Sequence, residues 1–229
     1  MTYRPNSIYM LNHSQYLLPS PPFYGVSHNK PCTLQALHPE ELPLINGASV
    51  KRIGEFCAGR YCAHQVLEQL GFSHVPVLKN EHGAPVWPKG IVGSISHSSE
   101  MSIAVAARSE DIQALGVDIQ YYDRPFPDQT FATLFRHQEI RSILSAQRGL
   151  ADRFAYSIFA SKESVIKCIY NAFGYWLDFT DILIEIDLTR GWFLISIPKK
   201  RAFNRPGWFG RVYFDTAYIS TATWLTHSK

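Results

Sequence analysis

Apolar side chains recur at helical spacing between residues 50 and 70. Ile53, Phe56, Cys57, Ala63, Leu67 and Leu70 keep one stripe, with Ser49 placed to cap its start and Gly71 to end it. Residues 81–90, Glu-His-Gly-Ala-Pro-Val-Trp-Pro-Lys-Gly, then read as a turn-rich loop. Three strands are predicted after it, Ile91–Ser96, Met101–Ala107 and Ala114–Ile119, with gaps short enough for antiparallel neighbours. Helical spacing returns from about Leu150 to Tyr170, where Leu150, Phe154, Ile158, Val165 and Ile169 share one side. Ile182–Asp187 then turns at Arg190-Gly191 into Trp192–Ile197, and a last strand is predicted near Arg211–Trp224. Residues 1 to about 48, with their Pro19-Ser20-Pro21-Pro22 run, predict extended segments and turns. Helix and sheet followed by helix and sheet again predict an α+β fold of two halves meeting across a cleft, without a detectable sequence repeat.

The 229 residues are 46% hydrophobic and 14% aromatic, enough to bury a substantial core. Charged residues make up only 18% and the formal net charge is +3, far from the basic stripe of a dedicated nucleic-acid binder. That small positive excess suits an acidic small molecule or an acidic protein partner without selecting either. Cys32, Cys57, Cys62 and Cys168 show no C-x2-C metal spacing, and reduced thiols are expected. No apolar run approaches the roughly 20 residues of a membrane span. The start, Met-Thr-Tyr-Arg-Pro-Asn, lacks the basic and apolar regions of a secretion signal, so a cytoplasmic protein is expected.

Three segments carry chemistry. In Gly116-Val117-Asp118-Ile119-Gln120, strand alternation puts Asp118 and Gln120 on one face, and Val117 and Ile119 on the other. An aspartate inside an apolar strand either meets a compensating cation, for which a hard ion such as Mg2+ suits oxygen ligands, or ends the strand by accepting from loop amides. In Phe159-Ala160-Ser161-Lys162-Glu163-Ser164-Val165-Ile166-Lys167, Glu163 and Lys167 fall on one helical face. They form either a surface ion pair or, framed by Ile158, Phe159, Val165 and Ile166, part of a cleft lining. In Gly93-Ser94-Ile95-Ser96-His97-Ser98-Ser99, hydroxyls and one histidine offer donors to a phosphate, or His97 is structural.

The order of these segments, Gly-x-Pro loop, Ser-His-Ser, Gly-Val-Asp-Ile-x and Phe-x-x-Lys-Glu-Ser-x-x-Lys, resembles the phosphopantetheinyl transferase family. Trp87–Ser98 and Ala58-Gly59-Arg60-Tyr61-Cys62-Ala63 are similar in wording to its enterobactin synthetase component D branch, and the likeness spans about residues 49–180. The resemblance implies a pseudo-two-fold pair of similar α/β halves, here residues 1–120 and 121–229, with coenzyme A in the cleft between them. It implies transfer of the 4'-phosphopantetheine arm of coenzyme A to a serine of an apo carrier protein. Asp118, Gln120 and Glu163 would hold Mg2+. Glu163 is the implied general base, acting with Lys167 and Asp118. Arg52, Arg60, Pro85, Ser96, His97, Lys162 and Lys167 would contact coenzyme A, with Lys51 a weaker candidate. The branch implies carrier domains of nonribosomal peptide or siderophore synthesis as partners, and two halves in one chain imply a monomer.

Two positions depart from the family pattern. Gln120 stands where the family usually has Glu, and Ala84 where a lysine is frequent. An amide oxygen can still reach a metal but adds no charge, so weaker metal affinity, or more water in the shell, is expected. The alternative these departures leave is a binding module that keeps coenzyme A affinity without catalysis. A nucleotide hydrolase of the G-x-x-x-x-G-K-[ST] type is disfavoured because that loop is absent from the sequence.

Overall fold

The computed structural model describes residues 17–18, 21–29, 32–147, 149–198, 200, 203 and 207–227. The extended structure expected for residues 1–16 lies outside the described residues. Of the next stretch, Tyr24–His28 forms strand β1, and Pro39–Ile45 forms a 3-10 helix that the sequence pattern did not signal. Helix α1 covers Val50–Gln69, with the Ser49 hydroxyl accepting from the Arg52 amide and Gly71 following at φ +87°. The loop expected at 81–90 contains only β3 (Pro85–Val86), which pairs with β2 (Leu78–Lys79) just before it as a short hairpin. Strands β4 (Ile91–Ser98), β5 (Met101–Arg108) and β6 (Ala114–Tyr121) come next. Two short helices, α2 (Phe131–Leu134) and α3 (His137–Leu144), precede the long helix α4 (Ala151–Phe173). The chain closes with β7 (Leu183–Asp187), β8 (Trp192–Ser196), β9 (Trp208–Phe214) and β10 (Tyr218–Leu225).

The last strand expected from the pattern is thus a hairpin. Asp215 Oδ1 accepts the amides of Ala217 and Tyr218, a side-chain turn that reverses the chain between β9 and β10.

The strands make an antiparallel sheet of order β1-β5-β4 and a second of order β6-β10-β9-β8-β7. Helix α1 covers the first sheet through Cys62, Ala63, Val66 and Leu67 packed on Ala104 and Ala106. Helix α4 covers the second through Ile158, Val165, Ile166 and Ile169, packed with Ile184, Phe193, Val212 and Ile219. Strand alternation supplies a third core, in which Ile103 and Val105 meet Leu115, Val117, Ile119 and Trp224. The two-layer pattern therefore occurs twice, as the helix-sheet repetition of the sequence predicts. Asp118 registers against Thr221 of β10, so β6, which lies before the 120/121 division expected from sequence, pairs into the second sheet.

β4 and β6 run beside one another without joining one sheet. Serine hydroxyls bridge them instead. Val117 N–H donates to Ser94 Oγ at 3.0 Å, and Tyr121 N–H to Ser98 Oγ at 2.9 Å. Asn171 of α4 spans the same seam, donating to the carbonyls of Gly93 at 3.0 Å and Leu115 at 2.8 Å.

Helix α4 lies directly on β6, and Gly116 is what permits it. A Cβ there would fall 2.1 Å from Ser164 O and 2.6 Å from Cys168 N. Both neighbours are helix backbone and cannot rotate away, so Gly116→Ala should cost about 3 kcal/mol or more, at the upper end of overpacking. Urea unfolding measures this; a midpoint unchanged from wild type would mean that α4 does not seat on β6 this closely.

Candidate functional site

The close approach of α4 to β6 sets one carboxylate against the helix. Val117 and Ile119 point into the core at 0% exposure, which turns Asp118, 2% exposed, toward α4. Its Oδ1 accepts from Ser96 Oγ at 2.7 Å and from Lys167 Nζ at 2.7 Å, and its Oδ2 accepts from Gln120 Nε2 at 2.7 Å. Lys167 also donates to Ser96 Oγ and to the Val117 carbonyl, each at 3.1 Å. Of the alternatives open for Asp118, the loop-amide cap is not what forms; side chains from both halves surround the carboxylate.

Glu163 is half-buried one turn before Lys167. Burial pushes its carboxyl above the usual range, the Lys167 ammonium pulls it back, and the Asp118 charge raises it further. The Asp118 charge disfavours ionisation of Glu163, a cation beside both would offset it, and carboxylate oxygens suit a hard one. Among the described residues no group of three or more His, Cys, Asp and Glu side chains forms, so the protein offers two carboxylates and the Gln120 amide. Asp118 and Glu163 would suit a hard cation such as magnesium, which would supply positive charge beside a phosphate. Gln120 presents its amide nitrogen to Asp118, so here it is a donor that orients the carboxylate.

A second group of charges lies on the other side of β4. Alternation sends Ser96 to the seam and its neighbour His97 to α1, where His97 Nε2 accepts from Arg52 Nη1 at 2.9 Å. Nδ1 then carries the proton and faces Glu55 Oε2 at 3.8 Å. Burial lowers the His97 pKa, Glu55 opposes this, and Arg52 and Lys167 lower it further, so the ring is neutral at pH 7. Arg60 is 5% exposed, with its guanidinium 4.4 Å above the Phe56 ring, one donor on Leu78 O at 3.3 Å, and Nε facing Glu41 Oε1 at 3.9 Å without a hydrogen bond. Burial brings its pKa down to about 10, against the pull of Glu41, with Arg52 adding to the drop. Lys79 Nζ lies 4.6 Å from the same Phe56 ring, its pKa lowered by burial and then by Arg52 and Arg60. Arg52 thus depresses both Arg60 and Lys79, and a cluster of cations of this kind suits an anion.

Lys79 was missed from the sequence, although a signal existed. In Asn80-Glu81-His82-Gly83, Asn80 Oδ1 accepts the amides of His82 and Ala84, and Gly83 takes φ +80°. That turn pairs Lys79 with Pro85, bringing the candidate proline of the loop beside the cations. Lys51, in contrast, is an exposed side chain 3.9 Å from Glu55.

Lys162 is corrected. The helix is apolar on both sides at this point, which suggested a cleft; instead Lys162 is fully buried on the core side. Its ammonium donates to Glu139 Oε2 at 2.6 Å, Leu134 O at 2.8 Å and Phe179 O at 2.9 Å, leaving no proton for a phosphate.

Comparison with known proteins gives the family. A family model of the 4'-phosphopantetheinyl transferase N-terminal domain matches residues 39–107, and one of the 4'-phosphopantetheinyl transferase superfamily matches residues 114–212. The 4'-phosphopantetheinyl transferase Svp of Streptomyces mobaraensis is 37% identical over 194 residues, covering 81% of this chain and 77% of its own. PptT of Mycobacterium tuberculosis is 33% identical, covering 74% of each chain. Enterobactin synthase component D of Salmonella typhi is 34% identical, over 54% of this chain and 50% of its own. The matched segments carry Arg60, Ser96 and His97 in the first half, and Asp118, Glu163 and Lys167 in the second, and the chain belongs to the 4'-phosphopantetheinyl transferase superfamily.

Proposed function

We infer that this enzyme transfers the phosphopantetheine arm of coenzyme A to a carrier-protein serine with magnesium held at Asp118 and Glu163, and that the Arg52–Arg60–Lys79 cluster receives a phosphate of coenzyme A. The transferase activity follows from family membership. The observation that carries the finer reading is the pair of carboxylates beside Lys167, adjoined across β4 by the cluster of Arg52, Arg60 and Lys79.

Magnesium, when bound, supplies positive charge against the pyrophosphate oxygens on which charge develops. The chain's residues account for the rest. Lys167 leans on Asp118 from one side and is placed to pair with a phosphate oxygen as a point charge. Ser96 and Gln120 orient the Asp118 carboxylate through its two oxygens. Glu163, one turn before Lys167 and beside Asp118, would take the proton of the attacking serine hydroxyl. The serine oxygen bonds to the β-phosphorus as the bond to 3',5'-adenosine bisphosphate breaks. Neutral His97 keeps Arg52 directed by accepting from it.

Carrier domains of nonribosomal peptide and siderophore assembly are the proposed partners, because enterobactin synthase component D is among the relatives. No helix among the described residues is long and apolar enough to cross a membrane, and the proposed place of action is the cytoplasm. Each half contributes to one cleft, so a monomer suffices.

The test is the mass of an apo peptidyl carrier domain after incubation with coenzyme A and this protein, with Mg2+ or with EDTA. One added phosphopantetheine arm, lost in EDTA and restored by Mg2+, is expected. Arm transfer that persists in EDTA would remove the metal from the reading. Coenzyme A binding without any mass gain on several carriers would return the chain to the non-catalytic alternative.

A further inference from the structure

Two buried glutamates outside the reaction centre occupy matching places in the two halves. Glu41 is the third residue of its 3-10 helix, fully buried, and accepts the amide of His38, the residue that caps that helix. It also accepts from Val77 N–H at 2.7 Å, beyond the end of α1, and faces two cationic-type side chains of α1, His64 at 2.9 Å and Arg60 at 3.9 Å. Glu139 is the third residue of α3, 1% exposed, and accepts the amide of its cap Arg136 at 2.7 Å. It also accepts from Ile184 N–H at 2.8 Å, beyond the end of α4, and pairs with Lys162 of α4 at 2.6 Å. In each half a short-helix glutamate closes its own cap, anchors the chain that follows the long helix, and meets a cation from the middle of that helix. Arg60 and Lys162 are therefore counterparts.

They differ in what remains available. Arg60 meets its glutamate only at 3.9 Å through Nε, which makes no hydrogen bond, and sits in a cluster with Arg52 and Lys79. Lys162 has no donor left, since Leu134 O, Glu139 and Phe179 O take its three protons at zero exposure. The next residue on α4 is Glu163. The ammonium thereby fastens the helical turn that carries Glu163 to the end of α2, to the start of α3 through Glu139, and to the loop before β7.

We propose that Lys162, through Glu139, is a positioning residue that fixes the turn bearing Glu163 and makes no contact with coenzyme A. The inference rests on Glu163 acting in the reaction, and Glu163→Gln is therefore measured beside it; a fully active Glu163→Gln would fail that reading and leave the contact claim standing on its own readout. Lys162→Met alone leaves Glu139 a buried, unpaired charge, and is expected to unfold at lower temperature than wild type. Lys162→Met combined with Glu139→Gln keeps the volume, removes both charges, and is expected to regain most of that loss. In the folded double variant, coenzyme A Kd should stay within about threefold of wild type while kcat falls about tenfold or more, the signature of misplaced chemistry rather than lost binding. A Kd weakened tenfold would make Lys162 a ligand, and an unchanged kcat would make the pair mere scaffold; either overturns the proposal. Amine labelling of the intact wild-type chain decides the contact claim without any variant. Lys162 should resist labelling with and without coenzyme A, while Lys79 and Lys167 become protected on binding. Labelling of Lys162 that coenzyme A suppresses would overturn the proposal.

Discussion

Asp118→Asn should abolish detectable arm transfer, a loss of about a thousandfold or more, because it removes a charge on which metal binding depends. The same substitution should also weaken the free protein. Asp118 is 2% exposed and takes three donors, from Ser96, Lys167 and Gln120. An asparagine can accept on one branch only, and its NH2 would face a donor on the other. Lys167 would lose its ion partner while three-quarters buried at its side chain, so the cost is set below that of a fully enclosed pair, about 2–3 kcal/mol. For a chain of this length that is a fall in Tm of about 5–10 °C. Carrier mass spectrometry gives the first quantity and calorimetry the second. Transfer by Asp118→Asn within tenfold of wild type would exclude Asp118 from the metal site.

Glu163→Gln should lose activity almost as severely, about a hundredfold or more, yet move stability the other way. The Glu163 pKa is raised in the fold, first by burial. The sign follows from linkage. A carboxyl whose folded pKa lies above its unfolded value favours the fold while protonated, and that contribution is lost as pH rises through the folded pKa. At neutral pH and above, the wild-type fold therefore carries the cost of a desolvated charge beside Asp118, and glutamine does not. Tm of the variant at pH 7–8 should equal or exceed that of wild type, while its advantage shrinks as pH is lowered. A variant that is both inactive and clearly less stable would mean that Glu163 holds the fold together, and the loss of transfer could then not be assigned to chemistry. The contrast between the two substitutions follows from their surroundings: Asp118 is surrounded by donors, whereas Glu163 is governed first by desolvation, which Lys167 offsets only in part.

Much of this arrangement was legible in local pattern. Ser49 and Gly71 bound α1 within a residue or two, and the alternation across Val117, Asp118 and Ile119 gave the face of the carboxylate correctly. What failed to appear in the sequence depends on partners far along the chain. β6 pairs with β10, some hundred residues later, and nothing within Ala114–Ile119 declares that choice. α2 and α3 are too short for a periodic stripe to form, and α3 is closed by Glu139, whose other partners come from α4 and β7. The burial of Lys162 was hidden for the same reason. A lysine flanked by apolar residues reads alike whether it lines a cleft or penetrates the core, and only Glu139 decides between the two. Lys79 was local, but its meaning came from the turn at Asn80–Gly83 that folds it against Pro85.

The seam between β4 and β6 has a consequence for how such an enzyme can diverge. Where two strands share backbone hydrogen bonds, their spacing cannot be altered by changing a side chain. Here the spacing is written in hydroxyls, those of Ser94, Ser96 and Ser98, and in one amide, that of Asn171. Each can be lengthened, shortened or removed by a single codon change that leaves the ladders on either side intact. The spacing of the two sheets is therefore heritable in independent small steps, none of which requires either sheet to refold.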